Sequence, residues 1–175
     1  MKQVWKRRLR WGAIAVGVVL VLGLLVPGAQ VIPVEGATEA DWNHDTFWYD
    51  PWGRSGVHKG IDIFAAEGTA VRASTGGVVL YTGELSRGGN VVVILGPKWR
   101  LHYYAHMASR DVTRGRAVAQ GRVLGTVGTS GNAAGKPPHL HYSIVTLVPY
   151  PWRVTTERQG WKKVFYLDPD DALRR

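Results

Sequence analysis

The feature that most restricts the fold is a series of short β-rich runs separated by glycine-containing turns, from Gly56 to Pro149. Valine, isoleucine and tyrosine are concentrated in these runs, and no stretch among them keeps a helical period for more than about two turns. Strands at such close spacing pair antiparallel, because a parallel crossover needs about a dozen or more residues. The pattern therefore predicts an all-β domain, built as an antiparallel sheet or an open barrel.

Six strands are expected in this domain, with glycine turns between them. They are Ile61–Phe64, Gly77–Tyr81, Asn90–Leu95, Arg100–His106, Arg122–Val127 and Leu140–Val145. After the domain, Asp168 followed by Pro169 indicates the start of a short helix. We expect four segments: 1–28 as a membrane or signal segment, 29–55 as a linker, 56–150 as the β domain and 151–175 as a C-terminal extension.

The N-terminus is a basic cluster followed by an unbroken apolar run, Trp11 to Val26. A helix of these residues would be about 24 Å long, short of the ~30 Å hydrocarbon core, although flanking apolar residues can extend it. The basic cluster keeps the N-terminus in the cytoplasm and directs the rest outward. We predict an uncleaved signal anchor. A cleaved signal peptide is the alternative, which Pro27 disfavours because it lies two residues before Ala29, where cleavage would occur.

Either interpretation exports the β domain. A poorly cleavable anchor favours the inner membrane of a Gram-negative cell with the domain in the periplasm, and cleavage would instead give a secreted protein. Five basic residues in the first ten account for much of the net charge of +9. The other basic residues are scattered, so we expect no nucleic-acid partner. The alternative, a tethered protein that binds nucleic acid or anionic lipid, requires a clustered basic stripe.

Histidine spacing points to metal chemistry, and since the chain has no cysteine, a metal site must use histidine and carboxylate. His139 and His141 lie two apart on a predicted strand and therefore share one face. His58 and Asp62 lie on a turn into another strand, where their three-residue gap lets both side chains converge. A catalytic zinc site keeps three protein ligands and one water. Two imidazoles and one aspartate can supply those ligands, which leaves one histidine to move protons, and His106 offers a second.

Four stretches of the chain read, in order, HKGIDIFAAEGTAVRASTGGVV, GGNVVVILG, HYYAHM and GRVLGTVGTSGNAAGKPPHLHYSI. Taken together, they resemble the lysostaphin-like zinc endopeptidases, the LytM-type cell-wall peptidase family. Together they cover Gly56 to about Val145, which is nearly the whole predicted β domain. The resemblance implies an antiparallel sheet crossed by a substrate groove, in agreement with the strand pattern.

The resemblance also implies the chemistry. His58, Asp62 and His141 match the family's zinc ligands, with one zinc ion per chain, and His106 and His139 match its catalytic histidines. The implied activity is hydrolysis of peptide crosslinks in bacterial peptidoglycan by metal-activated water. Which histidine acts as the base stays open, as does the crosslink that is cleaved, a D,D-bond between stem peptides or a glycine-rich bridge.

The sequence departs from the usual family pattern at Tyr142-Ser143, where Phe-Glu is more common, and in a tryptophan-rich segment before the first motif. An inactive wall-binding regulator is the alternative function, but such relatives typically lack ligands, whereas all five positions are filled here. Three further expectations concern neighbouring residues. Asn43, His44 and Asp45 are candidates to block the metal, His102 is expected at the groove rim, and some aromatic residues are candidates for the groove wall, namely Trp48, Trp52, Tyr104 and Tyr142.

Overall fold

In the computed structural model, which describes residues 2–174, an N-terminal helix precedes a nine-stranded antiparallel sheet. The two α-helices are α1 (Lys2–Leu25) and α2 (Pro169–Leu173). The strands are β1 (Ile61–Phe64), β2 (Ala70–Arg72), β3 (Gly77–Leu85), β4 (Gly89–Gly96), β5 (Arg100–Arg110), β6 (Ala117–Val118), β7 (Val123–Val127), β8 (His139–Thr146) and β9 (Tyr166–Leu167). Short 3₁₀ turns cover Glu39–Asp41, Gly53–Ser55, Pro97–Trp99, Gly131–Ala133, Pro151–Arg153 and Gly160–Val164.

The strands follow the order β1-β8-β5-β4-β3-β6, with β7 paired to β5 and β2, and β9 paired to β8. In the described part of the chain β1 and β6 do not pair, so the sheet stays open. The antiparallel prediction is confirmed, and each of the six predicted strands is present. Strands β2, β6 and β9 were not predicted, because runs of two or three residues carry no periodicity and form only against partners already in place.

The side chains of β8 alternate between the core face of the sheet and the face that carries the site. Leu140, Tyr142 and Ile144 are fully buried in the core. His139 and His141 alternate with these core residues and point to the opposite face, as the period of two predicts. Tyr142 pairs in register with Tyr104 of β5, and the two rings pack 5.2 Å apart between centroids. The apolar packing on one face therefore orients the histidines on the other.

A β-bulge turns His106 towards the histidines of β8. From Tyr104 to Met107, strand β5 takes three steps while β4 takes two, so one residue is extra. His106 has φ of 64°, which is rare for a residue other than glycine. By simple alternation it would share the core face of Tyr104, but a bulge reorients the side chain. Met107 then returns to the core, fully buried.

The bulge is supported by a close contact between two loops. Ser130 accepts the backbone N–H of Asn90 at 2.9 Å and donates its hydroxyl to the carbonyl of Met107 at 2.8 Å. Gly89 adopts φ of 62°, and a Cβ there would lie 2.2 Å from the hydroxyl oxygen of Ser130. Only glycine permits both the backbone angle and this approach. The loops before β4 and before β8 are thereby held against β5.

Helix α1 is longer than the apolar run that predicted it. Its candidate membrane span, Trp5–Leu25, has 21 residues, and the most apolar part of it is not buried in the protein. At 1.5 Å per residue the span is about 31 Å long, but its first six residues include Lys6, Arg7, Arg8 and Arg10, so the apolar part still begins at Trp11. The helix fits a membrane anchor or a signal segment. Near its C-terminal end, the indole N–H of Trp99 donates to the carbonyl of Leu20 at 2.9 Å.

His102 lies in the core, so its expected place at the groove rim was wrong. The side chain is 1% exposed, and its Nδ1 lies 2.7 Å from the hydroxyl of Tyr142. The spacing of four residues along a strand predicts the same face for His102 and His106. The bulge after Tyr104 reverses the alternation, so the two side chains point to opposite faces.

We predict that His102 makes stability depend on pH. Burial first, and then the charge of Arg100, lower the pKa of His102 to about 3. The unfolded chain binds this proton near pH 6.5, so the contribution of His102 is present above about pH 6.5 and is lost as the pH falls towards 3. Urea unfolding should show that His102→Gln loses less stability than the wild type between about pH 7 and pH 4.5. If the free energy of unfolding fell equally with pH in the two proteins, the prediction would be contradicted.

A second prediction tests the loop contact. Gly89→Ala should lower the free energy of unfolding by about 1–3 kcal/mol more than Gly115→Ala, because only the first substitution overpacks its surroundings. Gly115 is a matched control, since its φ is 82° but no atom lies within 4 Å of a Cβ there. Both variants carry the backbone strain, and chemical denaturation of each measures the difference. Equal destabilisation of the two variants would contradict the prediction, because it would mean that the loops move apart to accept the extra methyl group without cost.

Candidate metal site and adjoining groove

The pairing of β1 with β8 brings Asp62 opposite His141. The two residues are partners in the antiparallel register, and partners share one face of the sheet. Asp62 Oδ1 lies 2.8 Å from His141 Nδ1. On the same face His139 pairs with Phe64, and its Nε2 lies 3.9 Å from Asp62 Oδ2. Two distant stretches of the chain thus place one carboxylate beside two imidazoles.

His58 completes a three-residue group. Its Nε2 lies 3.1 Å from Asp62 Oδ1 and 3.1 Å from His141 Nδ1. The three potential ligand atoms all lie within 4.8 Å of one another. Trp52 stacks on the imidazole of His58 with centroids 4.1 Å apart and the planes inclined by 22°. The linker therefore covers His58, which is 1% exposed.

Hydrogen bonds on the far side of each ring orient the free nitrogens. A carbonyl oxygen only accepts, so the contact of 3.1 Å with the carbonyl of Thr46 places the proton of His58 on Nδ1 and leaves Nε2 with a lone pair. Ser143 Oγ lies 2.9 Å from Nε2 of His141 and can accept its N–H, which leaves Nδ1 free.

In these tautomers, two imidazole lone pairs and a carboxylate oxygen face one another without a hydrogen between them. Such an arrangement is repulsive unless a cation lies among the three atoms. Two histidine nitrogens and one aspartate oxygen are also a donor set that zinc accepts. The residues therefore fit a divalent metal ion.

The electrostatics keep the group ready for a metal at neutral pH. Burial raises the pKa of Asp62, but the ring nitrogens of His141 and His58 beside its carboxylate outweigh burial and hold that pKa well below its usual range. Burial lowers the pKa of His141 despite the opposing effect of Asp62. The carboxylate is thus ionised and His141 is uncharged, which are the protonation states that metal binding requires.

His106 and His139 form a second pair beside this group, with ring centroids 5.1 Å apart. Each is anchored through Nδ1 to a backbone carbonyl, His106 to that of Ser130 at 3.0 Å and His139 to that of Pro137 at 2.7 Å. Both therefore carry the proton on Nδ1, and Nε2 is left as an acceptor. Burial, followed by the proximity of His141 and His139, lowers the pKa of His106 to about 4.

All five histidine and aspartate residues singled out from the sequence meet on one face of the sheet. The residues that hold their rings were missed, namely Ser143 and the carbonyls of Thr46, Ser130 and Pro137. Only Ser143 had a usable signal, since it lies two residues after His141 and so shares its face. Backbone carbonyls give no signal in a sequence.

A groove of about 360 Å³ runs from this group along the sheet. Of the four aromatic candidates for its wall, Trp52 lines it, whereas Trp48, Tyr104 and Tyr142 are buried in packing contacts. Tyr103 and Tyr166 were not anticipated but do line the groove. Its remaining walls are apolar, cationic or neutral polar, and include Val93, Leu101, Val145, Lys59, Arg87, Asn132 and Ser143.

The linker does not place its polar residues on the metal group. His44 Nδ1 lies 2.6 Å from Asp170 Oδ1, and the indole N–H of Trp42 donates to the same oxygen at 2.8 Å. Burial raises the pKa of Asp170, but the hydrogen bonds from His44, Trp42 and Arg174 lower it overall. The hypothesis that residues 43–45 block the metal is therefore not supported, because α2 holds His44 elsewhere.

Two curated relatives and one solved structure illustrate the similarity of this chain to known peptidases. It is 34% identical over 140 residues to the L-Ala–D-Glu endopeptidase of Bacillus subtilis (strain 168), covering 70% of this chain and 43% of that protein. It is 36% identical over 93 residues to the peptidoglycan DD-endopeptidase ShyC of Vibrio cholerae, covering 53% and 21%. The chain thus spans less than half the length of either relative.

The catalytic domain of the antimicrobial peptidase lysostaphin from Staphylococcus simulans has a similar fold. The TM-score is 0.58 at 25% sequence identity, over 72% of this chain and 86% of that domain. The lysostaphin-like fold expected from the sequence is therefore confirmed. The sequence profile of peptidase family M23 matches residues 56–150, which contain all five site residues. Because this match covers more than half of the chain, the protein belongs to peptidase family M23.

Proposed function

We propose that the chain is a zinc-dependent endopeptidase that hydrolyses peptide crosslinks of bacterial peptidoglycan. The observation that carries the proposal is the meeting of three potential ligand atoms within 4.8 Å, beside two histidines with free Nε2 atoms. In this proposal His58, Asp62 and His141 hold one zinc ion. His106 and His139 are the catalytic residues, because both lie next to that group. His106 also lines the groove that can accept a peptide.

Zinc, when bound, supplies Lewis acidity that makes water nucleophilic near neutral pH and polarises a carbonyl group. The protein's own residues then move the protons. His106 is neutral at pH 7, because its pKa is about 4, and it can accept a proton at Nε2. His139, anchored in the same way, offers an equivalent Nε2 on the side of Asp62.

The two histidines therefore divide two tasks, although the geometry does not distinguish them. One accepts the proton of the attacking water. Once protonated, either ring can donate a hydrogen bond to the developing oxyanion or a proton to the leaving amine. The anchoring carbonyls of Ser130 and Pro137 limit rotation of both rings, so each Nε2 stays in place through these transfers.

The relatives and α1 support the proposed substrate and location. One relative is named a peptidoglycan DD-endopeptidase, and another acts, by its name, at an L-Ala–D-Glu bond. Helix α1 is compatible with an anchor that exports the rest of the chain. We place 1–28 as the anchor in the inner membrane, 29–55 as the linker, 56–150 as the peptidase domain in the periplasm, and 151–175 as an extension that adds β9 to the sheet.

An inactive regulator of another hydrolase is not favoured. Such a protein needs the fold and a wall-binding groove, but it does not need ligands and anchored proton carriers in working positions. All five positions are filled and lie together on one face.

We predict that the detergent-solubilised chain binds one zinc ion and that Ser143→Ala weakens zinc affinity about 10–100-fold. The reason is that the Ser143 hydroxyl orients His141 through Nε2, the ring nitrogen that does not face the metal position, and loss of such partners typically has this effect. Elemental analysis gives the stoichiometry, and competition with a zinc chelator gives the affinity. Ser109→Ala is the matched control, because Ser109 pairs with Thr126 elsewhere in the sheet. Unchanged affinity in Ser143→Ala would remove its positioning role.

We predict that the full chain, loaded with zinc, releases peptide-cleaved fragments from purified sacculi. His141→Ala and His106→Ala should each lower the rate at least about 100-fold, through loss of the metal and of proton transfer respectively. Removal of zinc by a chelator should stop the reaction, and added zinc should restore it. Mass analysis of released muropeptides is the measurement, with His44→Ala as the histidine control. Activity that survives both substitutions would defeat the proposed function.

A further inference from the structure

The groove beside the metal group has an uneven charge. Two of the described residues that line it, Lys59 and Arg87, are cationic, and none is acidic. The acidic side chains nearby in the linker and the C-terminal extension are already paired, Asp50 with Arg158 and Glu157 with Lys163. Lys59 and Arg87 therefore form no ion pair among the described residues, and the carboxylate of Asp62 lies with the metal group rather than in the groove wall.

Lys59 is held at the metal end of the groove. It directly follows His58, and its ammonium group donates to the carbonyls of Ser55 at 3.2 Å and Val57 at 3.3 Å. These two bonds orient the side chain and leave one N–H of the ammonium group free to donate. The half-buried side chain thus presents a positioned charge next to the residues that hold the metal.

Arg87 lies on the turn between β3 and β4 and lines the same groove. The turn is fixed from behind, since the carbonyl of Arg87 accepts the backbone N–H of Asn132 at 3.0 Å. The guanidinium is exposed and has no ion pair among the described residues. Arg87 and Lys59 line the same groove, so it holds two positive charges.

Such a cluster suits an anion. A carboxylate between Lys59 and Arg87 would balance their positive charge, and an arginine guanidinium can bind it through two parallel hydrogen bonds. The hydroxyls of Tyr103 and Tyr166 provide neutral donors further along the groove, while Val93, Leu101 and Val145 supply an apolar floor. The groove therefore matches a peptide that has aliphatic parts and a free carboxylate near the metal end.

We propose that Lys59 and Arg87 form a carboxylate-binding site that selects peptides with a free carboxylate beside the scissile bond. The site favours acidic stem peptides over neutral glycine bridges. This inference rests on the proposed endopeptidase function, since it names the substrate class of the same groove. It assigns specificity, and not bond cleavage, to the two cations.

The test uses three peptide probes and the full zinc-loaded chain in detergent. The first probe is a crosslinked stem-peptide dimer with free carboxylates, the second is its twin in which every carboxylate is a carboxamide, and the third is pentaglycine. Calorimetry on the His106→Ala variant measures binding of intact peptides, and the wild type gives KM and kcat. We expect the acidic dimer to bind about tenfold or more tightly than its amidated twin, with the difference in KM rather than in kcat.

The variants Arg87→Gln and Lys59→Gln should each lose most of this preference while still binding the amidated twin as before. Arg114→Gln is the matched control, because Arg114 is an exposed arginine outside the groove, and it should keep the full preference. Since Lys59 also bonds to two carbonyls, the result with Arg87 is the decisive one.

The outcomes separate the two proposals. Equal binding of the acidic and amidated dimers, or tighter binding of pentaglycine, would overturn the carboxylate site even if all are cleaved. A preference that persists in both Arg87→Gln and Lys59→Gln would do the same. A preference that depends on these cations, without cleavage of any probe by the wild type, would support the carboxylate site and reject the endopeptidase. Failure of every probe to bind would overturn both.

Discussion

The antiparallel pairing of β1 with β8 is the constraint on which the rest of the site depends. Strand β1 has only four residues, but Ile61 and Ile63 are fully buried and fix which of its faces meets the core. Since side chains alternate, Asp62 must then point to the opposite face, directly across from His141. A shift of one residue would send Asp62 into the core and an isoleucine into the site. Apolar burial on one side of the sheet thus positions the proposed metal ligands on the other.

A second layer of hydrogen bonds determines how each ring can act. Four histidines of the site are held through one nitrogen, three by backbone carbonyls and His141 by the hydroxyl of Ser143. Because these partners select the tautomer, the opposite nitrogen is left with its lone pair towards the site. The same arrangement therefore serves the two rings that we propose hold a metal and the two that we propose transfer protons. The bulge in β5 and the contact of Gly89 with Ser130 place His106 among them.

The groove extends this chemistry towards a substrate. Its metal end combines His58, His106 and His141 with the cations Lys59 and Arg87, and its other end is largely apolar. Both the linker and the C-terminal extension contribute to it, through Trp52 and Tyr166. These segments lie outside the matched family region, 56–150. Two parts of the groove wall are therefore supplied from outside the family region, whereas the residues proposed to hold the metal all lie inside it.

The sequence by itself determined the all-β class, the six longer strands, the apolar helix and the family. It also identified the four histidines and one aspartate that meet on one face of the sheet. These features depend on local periodicity, composition and motif spacing, which a sequence records directly. Only the tertiary structure decided that His102 enters the core while His106 leaves it, since one extra residue in a bulge reverses the alternation. It also decided the three shortest strands, the carbonyls behind the imidazoles, and the position of Arg87 and Lys59 on one groove. Each of these depends on contacts between residues far apart in the chain, and neither alternation nor spacing within one segment carries that information.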